Sequence, residues 1–347
     1  MSLKKINLGG SAQKSAVIMA WIAMFIFFAI LMPDTFFTWN NIRTMLASQA
    51  VLVMCALAIL VPIIGGAYDM SVAANVTFVN ILIAKLNVDL GVPLMPCVII
   101  GVLAGVGIGA LNGVIVTKFN ISPFIVTMGM QTLIAGLALM VSQASITGMG
   151  QMIKDLVYAK KIFSIAPSFY YAIILCAILA YVFAKTAGGK RLLIVGQSEQ
   201  TARLSGINVE RIRFFSFVLS GLISGCAGVV YTGVTGSGNP TAGLSYLLPA
   251  FAAVFLGSTI LSPGRFNAVG TVIAVYFLTT GTNGLALLGV QSYIQNIFYG
   301  AALIVAVIFA AVTKKSKEKK EESEAKALRE KQLESQTELY DNAKVVV

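Results

Sequence analysis

Gly196-Gln-Ser-Glu-Gln-Thr-Ala-Arg-Leu-Ser-Gly-Ile-Asn-Val-Glu-Arg-Ile-Arg213 is the longest polar interruption in a chain that is otherwise almost all apolar. The runs on either side, Ser168–Phe183 and Phe214–Tyr231, have the length and composition of membrane-crossing helices. The stretch contains no histidine and no cysteine, and its acidic residues, Glu199 and Glu210, do not form a facing pair suited to acid–base chemistry. It reads as a short, soluble, helix-forming segment projecting from a membrane body.

The rest of the chain agrees with a membrane body. Of 347 residues, 57% are hydrophobic and 11% charged, and the mean hydropathy is +0.86. That balance belongs to polytopic helical membrane proteins rather than soluble domains. Residues 313–347 hold 9 of the 25 basic and 8 of the 14 acidic groups, so the net charge of +11 comes mainly from the first 312 residues. There the basic residues sit singly between apolar runs, which excludes a nucleic-acid surface. Cys55, Cys97, Cys176 and Cys226 lie in or beside apolar runs without CxxC spacing and read as packing residues. With no histidine in the chain, neither a catalytic group nor a metal site is predicted, and no cofactor is implied.

A spanning helix needs ~20 apolar residues. Ten candidates follow: 16–32, 45–64, 72–86, 92–116, 121–141, 168–183, 214–231, 244–256, 266–285 and 293–312. The N-terminal lysines, Lys4, Lys5 and Lys14, precede a run too long for a signal peptide and followed by no cleavage site, so that run reads as a retained first span. With the N-terminus inside, eleven basic residues before the tail lie on the inner side and five on the outer. The positive-inside rule therefore favours both termini in the cytoplasm. The domain reading is a cytoplasmic N-terminus (1–15), a transmembrane domain (16–312) carrying a cytoplasmic coupling loop (185–213), and a charged cytoplasmic tail (313–347). The tail's lysines, Lys314, Lys315, Lys317, Lys319 and Lys320, can meet anionic lipid heads.

Asn112-Gly113 ends the fourth candidate and is followed seventeen residues on by Gly129; Asn283-Gly284 ends the ninth, and Gly300 follows at the same distance. Five spans separate the pairs, which puts them at opposite faces, as in an inverted-topology repeat. Asn-Gly is also a common helix ending, so chance recurrence stays open.

Gly65-Gly66-Ala67-Tyr68-Asp69-Met70-Ser71 breaks the pattern between the second run and a short third one. It is either a broken helix lining a path, since irregular backbone at membrane depth needs protein or a cavity around it, or an ordinary turn with an aspartate near the next helix N-terminus. Ionisable residues inside the spans are almost absent, with Asp69 and Lys85 read as lying at span ends, which argues against an ion-driven carrier. Asn75, Asn80 and Asn283 suit a neutral polyhydroxylated solute, or equally hydrogen bonds between helices.

Four stretches together resemble one family, the permease subunits of bacterial ABC importers of the ribose/xylose/galactose type. Gly65–Val72 is similar to its Gly-Gly-Ile-Asp-Leu-Ser-Val. Asn112–Gly129, with Pro123-Phe124-Ile-Val-Thr-Met-Gly, is similar to its Asn-Gly…Pro-Phe-Ile-Val-Thr-Leu-Gly. Gly196–Asn208 is similar to its cytoplasmic Gly-x-Asn…Ala-Arg-Leu-Ser-Gly-Ile loop, and Asn283–Val290 to its Asn-Gly-Leu-x-Leu-Leu-Gly-Val. One extra residue between Gly66 and Asp69, and Ser198 in place of asparagine, depart from the pattern and leave the solute open. The resemblance implies an all-α fold of about ten spans in two inverted repeats in the inner membrane. It also implies a second permease subunit, identical or a paralogue, two cytoplasmic ATPase domains, and an extracytoplasmic solute-binding protein. The coupling residues would be Glu199, Ala202, Arg203 and Leu204, with Ser205, Gly206, Ile207 and Asn208, and a helix face of Ala202, Leu204 and Ile207 would meet the ATPase. The path would draw on Gly65, Gly66, Asp69, Ser71, Asn75, Pro123, Phe124 and Asn283.

The chain has no Gly-x-x-x-x-Gly-Lys-Ser/Thr, so the ATPase must be a separate chain. The solute expected is a pentose or hexose, with nucleosides and sugar-like signalling molecules as alternatives. A stand-alone secondary carrier or channel is the competing reading, and a membrane enzyme is a third that lacks a catalytic group.

Overall fold

The computed structural model describes residues 10–159, 162–262 and 264–312. The predicted N-terminal segment up to residue 9, the charged tail and Lys160-Lys161 lie outside the described residues. Backbone polar groups within hydrocarbon must be satisfied internally, and each of the ten predicted apolar runs is helical. Eight helical segments are long and apolar enough to cross a membrane: Trp39–Ile64, Val72–Asp89, Leu94–Lys118, Pro123–Val141, Pro167–Lys185, Val209–Thr235, Ala268–Leu287 and Ser292–Val312. Two apolar helices are shorter, Val17–Leu31 and Ala242–Gly257.

The helices are α1 (Gly10–Leu31), α2 (Trp39–Ser48), α3 (Ala50–Ile64), α4 (Val72–Ala84), α5 (Leu94–Lys118), α6 (Pro123–Val141), α7 (Gln151–Lys154), α8 (Pro167–Lys185), α9 (Ala187–Gln197), α10 (Glu199–Leu204), α11 (Val209–Thr235), α12 (Leu247–Gly257), α13 (Ala268–Leu287) and α14 (Ser292–Val312). Their starts follow the local chemistry. Pro123 and Pro167 occupy first-turn positions where no N–H is needed. Thr38, Thr186, Ser198, Asn208 and Asn267 each accept a hydrogen bond from a first-turn N–H.

Every residue of α3 is buried, and α4 and α12 pack around it. Glycines let α5 and α11 touch backbone to backbone. A Cβ at Gly109 would lie 2.3 Å from Phe217 O, and one at Gly221 would lie 2.5 Å from Gly105 O. By contrast, α14 and α6 are mostly exposed, the surface a lipid or partner helix meets.

The connections gather into two rims. In one, the turn 65–71 meets α9 at Leu192 and Gly196 and the start of α6 at Thr127, and α10 packs on α9 and α11. In the other, Asn283 Nδ2 donates to Asn41 Oδ1 at 3.0 Å, Ser168 Oγ to Ala47 O at 3.3 Å and Tyr276 OH to Leu46 O at 3.0 Å. A two-residue antiparallel pair, β1 (Ile146–Thr147) with β2 (Ser237–Gly238), links the connections after α6 and α11.

Candidate translocation path and coupling joint

Three short pieces build the joint within residues 185–213. Thr186 caps α9 by accepting from Gly189 N at 3.2 Å. Two close approaches fix α9 to the end of α3. A Cβ at Gly196 would lie 1.8 Å from Ile64 O, and one at Gly65 would lie 2.7 Å from Leu192 Cδ1. Ser198 Oγ then caps α10 by accepting from Thr201 N at 3.2 Å. Gly206, with φ +73°, ends α10: its N–H bonds to Arg203 O and that of Ile207 to Ala202 O, both at 3.0 Å. Asn208 Oδ1 accepts from Arg211 N at 2.8 Å and starts α11.

Ala202 is fully buried with Val195 and Val209, and Ile207 and Ile212 pack against them. The predicted shared face of Ala202 and Leu204 is therefore corrected. At ~100° per residue, positions two apart point to opposite sides of a helix, and Leu204 is 84% exposed while Ala202 supports the joint from beneath. Glu199, Arg203, Ser205, Gly206 and Asn208 are exposed with Leu204. Arg203 bonds Glu199 at 2.9 Å and also Glu210, and Arg213 reaches Glu199 at 3.1 Å. The guanidinium of Arg203, then that of Arg213, holds the Glu199 carboxyl below its ordinary range. Exposed pairs of this kind are each worth only ~0.2–1 kcal/mol; their effect is to lock α10 onto the first turn of α11.

The break at Gly65–Ser71 is real, and it is not a surface turn throughout. Gly66 and Tyr68 are exposed, but Asp69 is 2% exposed, which corrects its expected place at a span end. Asp69 Oδ1 accepts from Ser71 N at 3.0 Å and Ser71 Oγ at 2.6 Å, and Oδ2 accepts from Ser220 Oγ on α11 at 2.8 Å. No lysine or arginine pairs with it among the described residues; these three donors carry the carboxylate instead. Asn112 Nδ2 on α5 donates to Ser71 Oγ at 2.8 Å. One turn deeper, Asn75 Nδ2 donates to Ser224 Oγ at 2.7 Å and Gly105 O at 3.2 Å. The amide oxygens of Asn75 and Asn112 are buried without a hydrogen-bond partner. Asn80, at the far end of α4, donates to Thr232 Oγ1 and Ser237 O, both at 2.9 Å.

Thr127 joins α6 to this cluster. Its Oγ1 accepts from Met70 N at 3.0 Å and lies 3.2 Å from Tyr68 O and 2.9 Å from Pro123 O. Pro123 is half-buried beside it and Phe124 is 43% exposed. Asn283 is not brought to this cluster; it sits on the opposite rim against Asn41. Ser220 and Ser224 were missed as site residues. They recur at i, i+4 within Ser220-Gly-Leu-Ile-Ser224-Gly, where small hydroxyls read as packing. The joint and the cluster share one helix, since α11 starts at the Asn208 cap and reaches Ser220 about 18 Å further on at ~1.5 Å per residue. Among the described residues no group of three or more His, Cys, Asp or Glu side chains could hold a metal.

Residues 41–307 match the family described as branched-chain amino acid transport system / permease component. The chain is 34% identical over 307 residues to the ribose import permease protein RbsC of Bacillus subtilis (strain 168), covering 88% of this chain and 95% of that one. It is 30% identical over 281 residues to the D-allose transport system permease protein AlsC of Escherichia coli (strain K12), covering 81% and 86%. It is 28% identical over 302 residues to the L-arabinose ABC transporter permease protein AraH of Azospirillum brasilense, covering 86% and 87%. No solved structure matches the chain.

Proposed function

The chain belongs to the family of ABC-transporter permease components, and from that premise we propose that it is the membrane subunit of an ATP-driven importer whose solute is a monosaccharide. It is a multi-pass protein of the bacterial inner membrane. In this reading two such subunits, identical or paralogous, form the path. Two separate ATPase domains dock on the exposed face around Leu204, and an extracytoplasmic binding protein delivers the solute to the opposite rim.

The observation that carries the reading is the attachment of the exposed joint at two points: Gly196 on the end of α3, and the Asn208 cap at the head of α11. Motion applied to α10 thus reaches both the Gly65–Ser71 break and Ser220, the donor to Asp69. Closure of an ATPase pair would act on the break through these two contacts and drive alternating access.

Ten crossings with both termini inside fit the two rims. The turn 65–71, the α5–α6 turn and the joint share one rim, and the C-terminal part of α13, which carries Asn283, lies on the other. The packing of the short helices supports the inverted repeat: α4 packs on α11 and α5, and α12 packs on α3 and α13. Each short helix thus meets the first long helix of the other half and the third of its own.

A neutral sugar is favoured over an amino acid because a zwitterion needs charged partners. The only charged side chain buried among the described residues, Asp69, already accepts three hydrogen bonds, while the amide oxygens of Asn75 and Asn112 have no partner and are of the kind that hydroxyls donate to. In vesicles holding the chain with its ATPase and binding protein, uptake of labelled ribose, allose or arabinose should require ATP and persist without a proton gradient. Uptake by the chain alone, or of leucine in preference to sugars, would overturn the proposal.

A further inference from the structure

Beside the joint lies a cleft of about 540 Å³ whose lining includes Arg191, Gly206, Asn208, Arg211, Ile212 and Phe215. Its two arginines differ from their neighbours. Arg203 and Arg213 are neutralised by Glu199 and Glu210, whereas Arg191 and Arg211 have no acidic partner among the described residues and both are exposed. A cleft with two unpaired guanidinium groups is built for an anion, and the planar fork matches a phosphate. Arg211 also lies over the Phe215 ring, 5.9 Å from its centroid. Phe215 begins an apolar stripe. Arg211, Phe215 and Leu222 follow at i, i+4 and i+11 on one side of α11, with Phe215 52% and Leu222 39% exposed. From Arg211 to Leu222 the helix rises about 16 Å, roughly half a hydrocarbon core of ~30 Å.

We propose that this cleft binds the phosphodiester headgroup of an anionic membrane lipid, with an acyl chain lying along Phe215 and Leu222. The unpaired charges account for the headgroup. The exposed stripe leading from them into the membrane has no use for a dissolved phosphate or for an acidic side chain of a docked protein. The inference goes beyond the transport reading and stands or falls separately from the solute; the cleft shares Ser205, Gly206, Ile207 and Asn208 with the residues named for coupling, so lipid binding is tested on the chain without its ATPase. The bound lipid would brace the joint between α9 and α11, next to the surface where force arrives.

The full-length chain, purified in mild detergent and stripped of lipid, would be titrated with phosphatidylglycerol or phosphatidylcholine and followed by native mass spectrometry. One phosphatidylglycerol per chain should be retained in preference to phosphatidylcholine. The double variant Arg191→Gln/Arg211→Gln should bind it roughly 30-fold more weakly, from ~1 kcal/mol for each basic side chain. The charge-preserving pair Arg191→Lys/Arg211→Lys should bind between the wild type and the glutamine pair, since it keeps the charge and loses the planar fork, and an unchanged melting temperature of the glutamine pair shows that its loss is not misfolding. Phe215→Ser should weaken phosphatidylglycerol without changing the binding of inorganic phosphate. Undiminished lipid retention in the glutamine pair would overturn the proposal. So would full displacement by inorganic phosphate with no effect of Phe215→Ser, which would make the site one for a free anion. Protection of Arg191→Cys and Arg211→Cys from thiol reagents only by a docked ATPase, and never by phosphatidylglycerol, would make it a protein dock and would equally overturn it.

Discussion

Gly196→Ala isolates the contact on which the coupling reading depends. The added methyl would sit 1.8 Å from Ile64 O and 2.9 Å from Ile64 C, both below the 3.0 Å that real Cβ atoms respect. Both atoms are backbone at the C-terminus of a fully buried helix, so no side chain can turn aside. The methyl must push α9 off α3 by more than ~1 Å, with an overpacking cost of ~1–3 kcal/mol. Replacing glycine by alanine within a helix by itself favours the helix by at most ~1 kcal/mol, so the clash wins. Gly188 provides the opposite sign on the same helix: its added Cβ would meet nothing within 4 Å, and Gly188→Ala should be neutral or stabilising. In proteoliposomes with ATPase and binding protein, Gly196→Ala should lower solute moved per ATP hydrolysed at least tenfold while ATP hydrolysis continues; Gly188→Ala should match the wild type. Normal coupling in Gly196→Ala at normal membrane abundance would refute the claim that the α3–α9 contact transmits force.

Asp69→Asn keeps one oxygen to accept from Ser71 N and Ser71 Oγ and turns an NH2 toward Ser220, whose hydroxyl must rotate from donor to acceptor, and should cost about 1 kcal/mol in thermal unfolding. Arg203→Glu sets a third carboxylate beside Glu199 and Glu210, which should release α10 from α11, seen as protease cleavage within 196–208, while the melting temperature of the membrane domain barely moves. Because Glu199 is held below the ordinary carboxylate range, its contribution is fully present above about pH 4.3 and is lost as pH falls through its lowered value; protease resistance of the joint should therefore be flat around neutrality and fail only in strong acid. Gly109→Leu should abolish accumulation in the membrane, since its Cβ would meet Phe217 O at 2.3 Å, whereas Gly107→Leu, facing open space, should accumulate normally in immunoblots of membranes.

The helices were legible because hydrocarbon imposes a length and a composition. That residues 196–213 form short, largely exposed helices was legible because a long polar run between two apolar spans has to lie in water. What stayed hidden depended on which way residues point. Ala202 and Leu204 are both apolar, and only the fold of α10 back onto Val195 and Val209 decides that one is inside. Asp69 read as a span end because a carboxylate beside glycines normally seeks water; its burial depends on Ser220, 151 positions away in sequence. Asn112 and Asn283, which the spacing of their Asn-Gly pairs sets at opposite faces, do lie on different rims, so Asn283 cannot line the same site as Asp69 and Asn75.

The two short helices depart from simple symmetry. On the repeat reading α4 and α12 are counterparts, and their packing partners are exchanged between halves as inversion requires. Their chemistry is not exchanged. Helix α4 presents Asn75, Thr77 and Asn80 to its neighbours, and Asp69 and Ser71 precede it, while α12 reads Leu-Leu-Pro-Ala-Phe-Ala-Ala-Val-Phe-Leu-Gly without a polar side chain. Hydrogen bonds resist sliding because a displaced donor must find another acceptor, whereas apolar contacts re-form at many registers. Helix α4 therefore has discrete positions defined by Ser220, Ser224 and Thr232 on α11, and α12 does not. The element that can act as a two-position switch is the one tied to α11, the helix whose first turn carries the joint. Replacing Ser224 by alanine, which removes the shortest hydrogen bond of the Asn75 amide and leaves it only Gly105 O and the more distant Gly221 O, should then alter the balance between inward- and outward-open forms. The corresponding loss of a packing contact on α12, such as Val254→Ala, should lower stability without shifting that balance. Equal shifts from both, read by the accessibility of a cysteine placed at Tyr68, would show that the switch does not reside in α4.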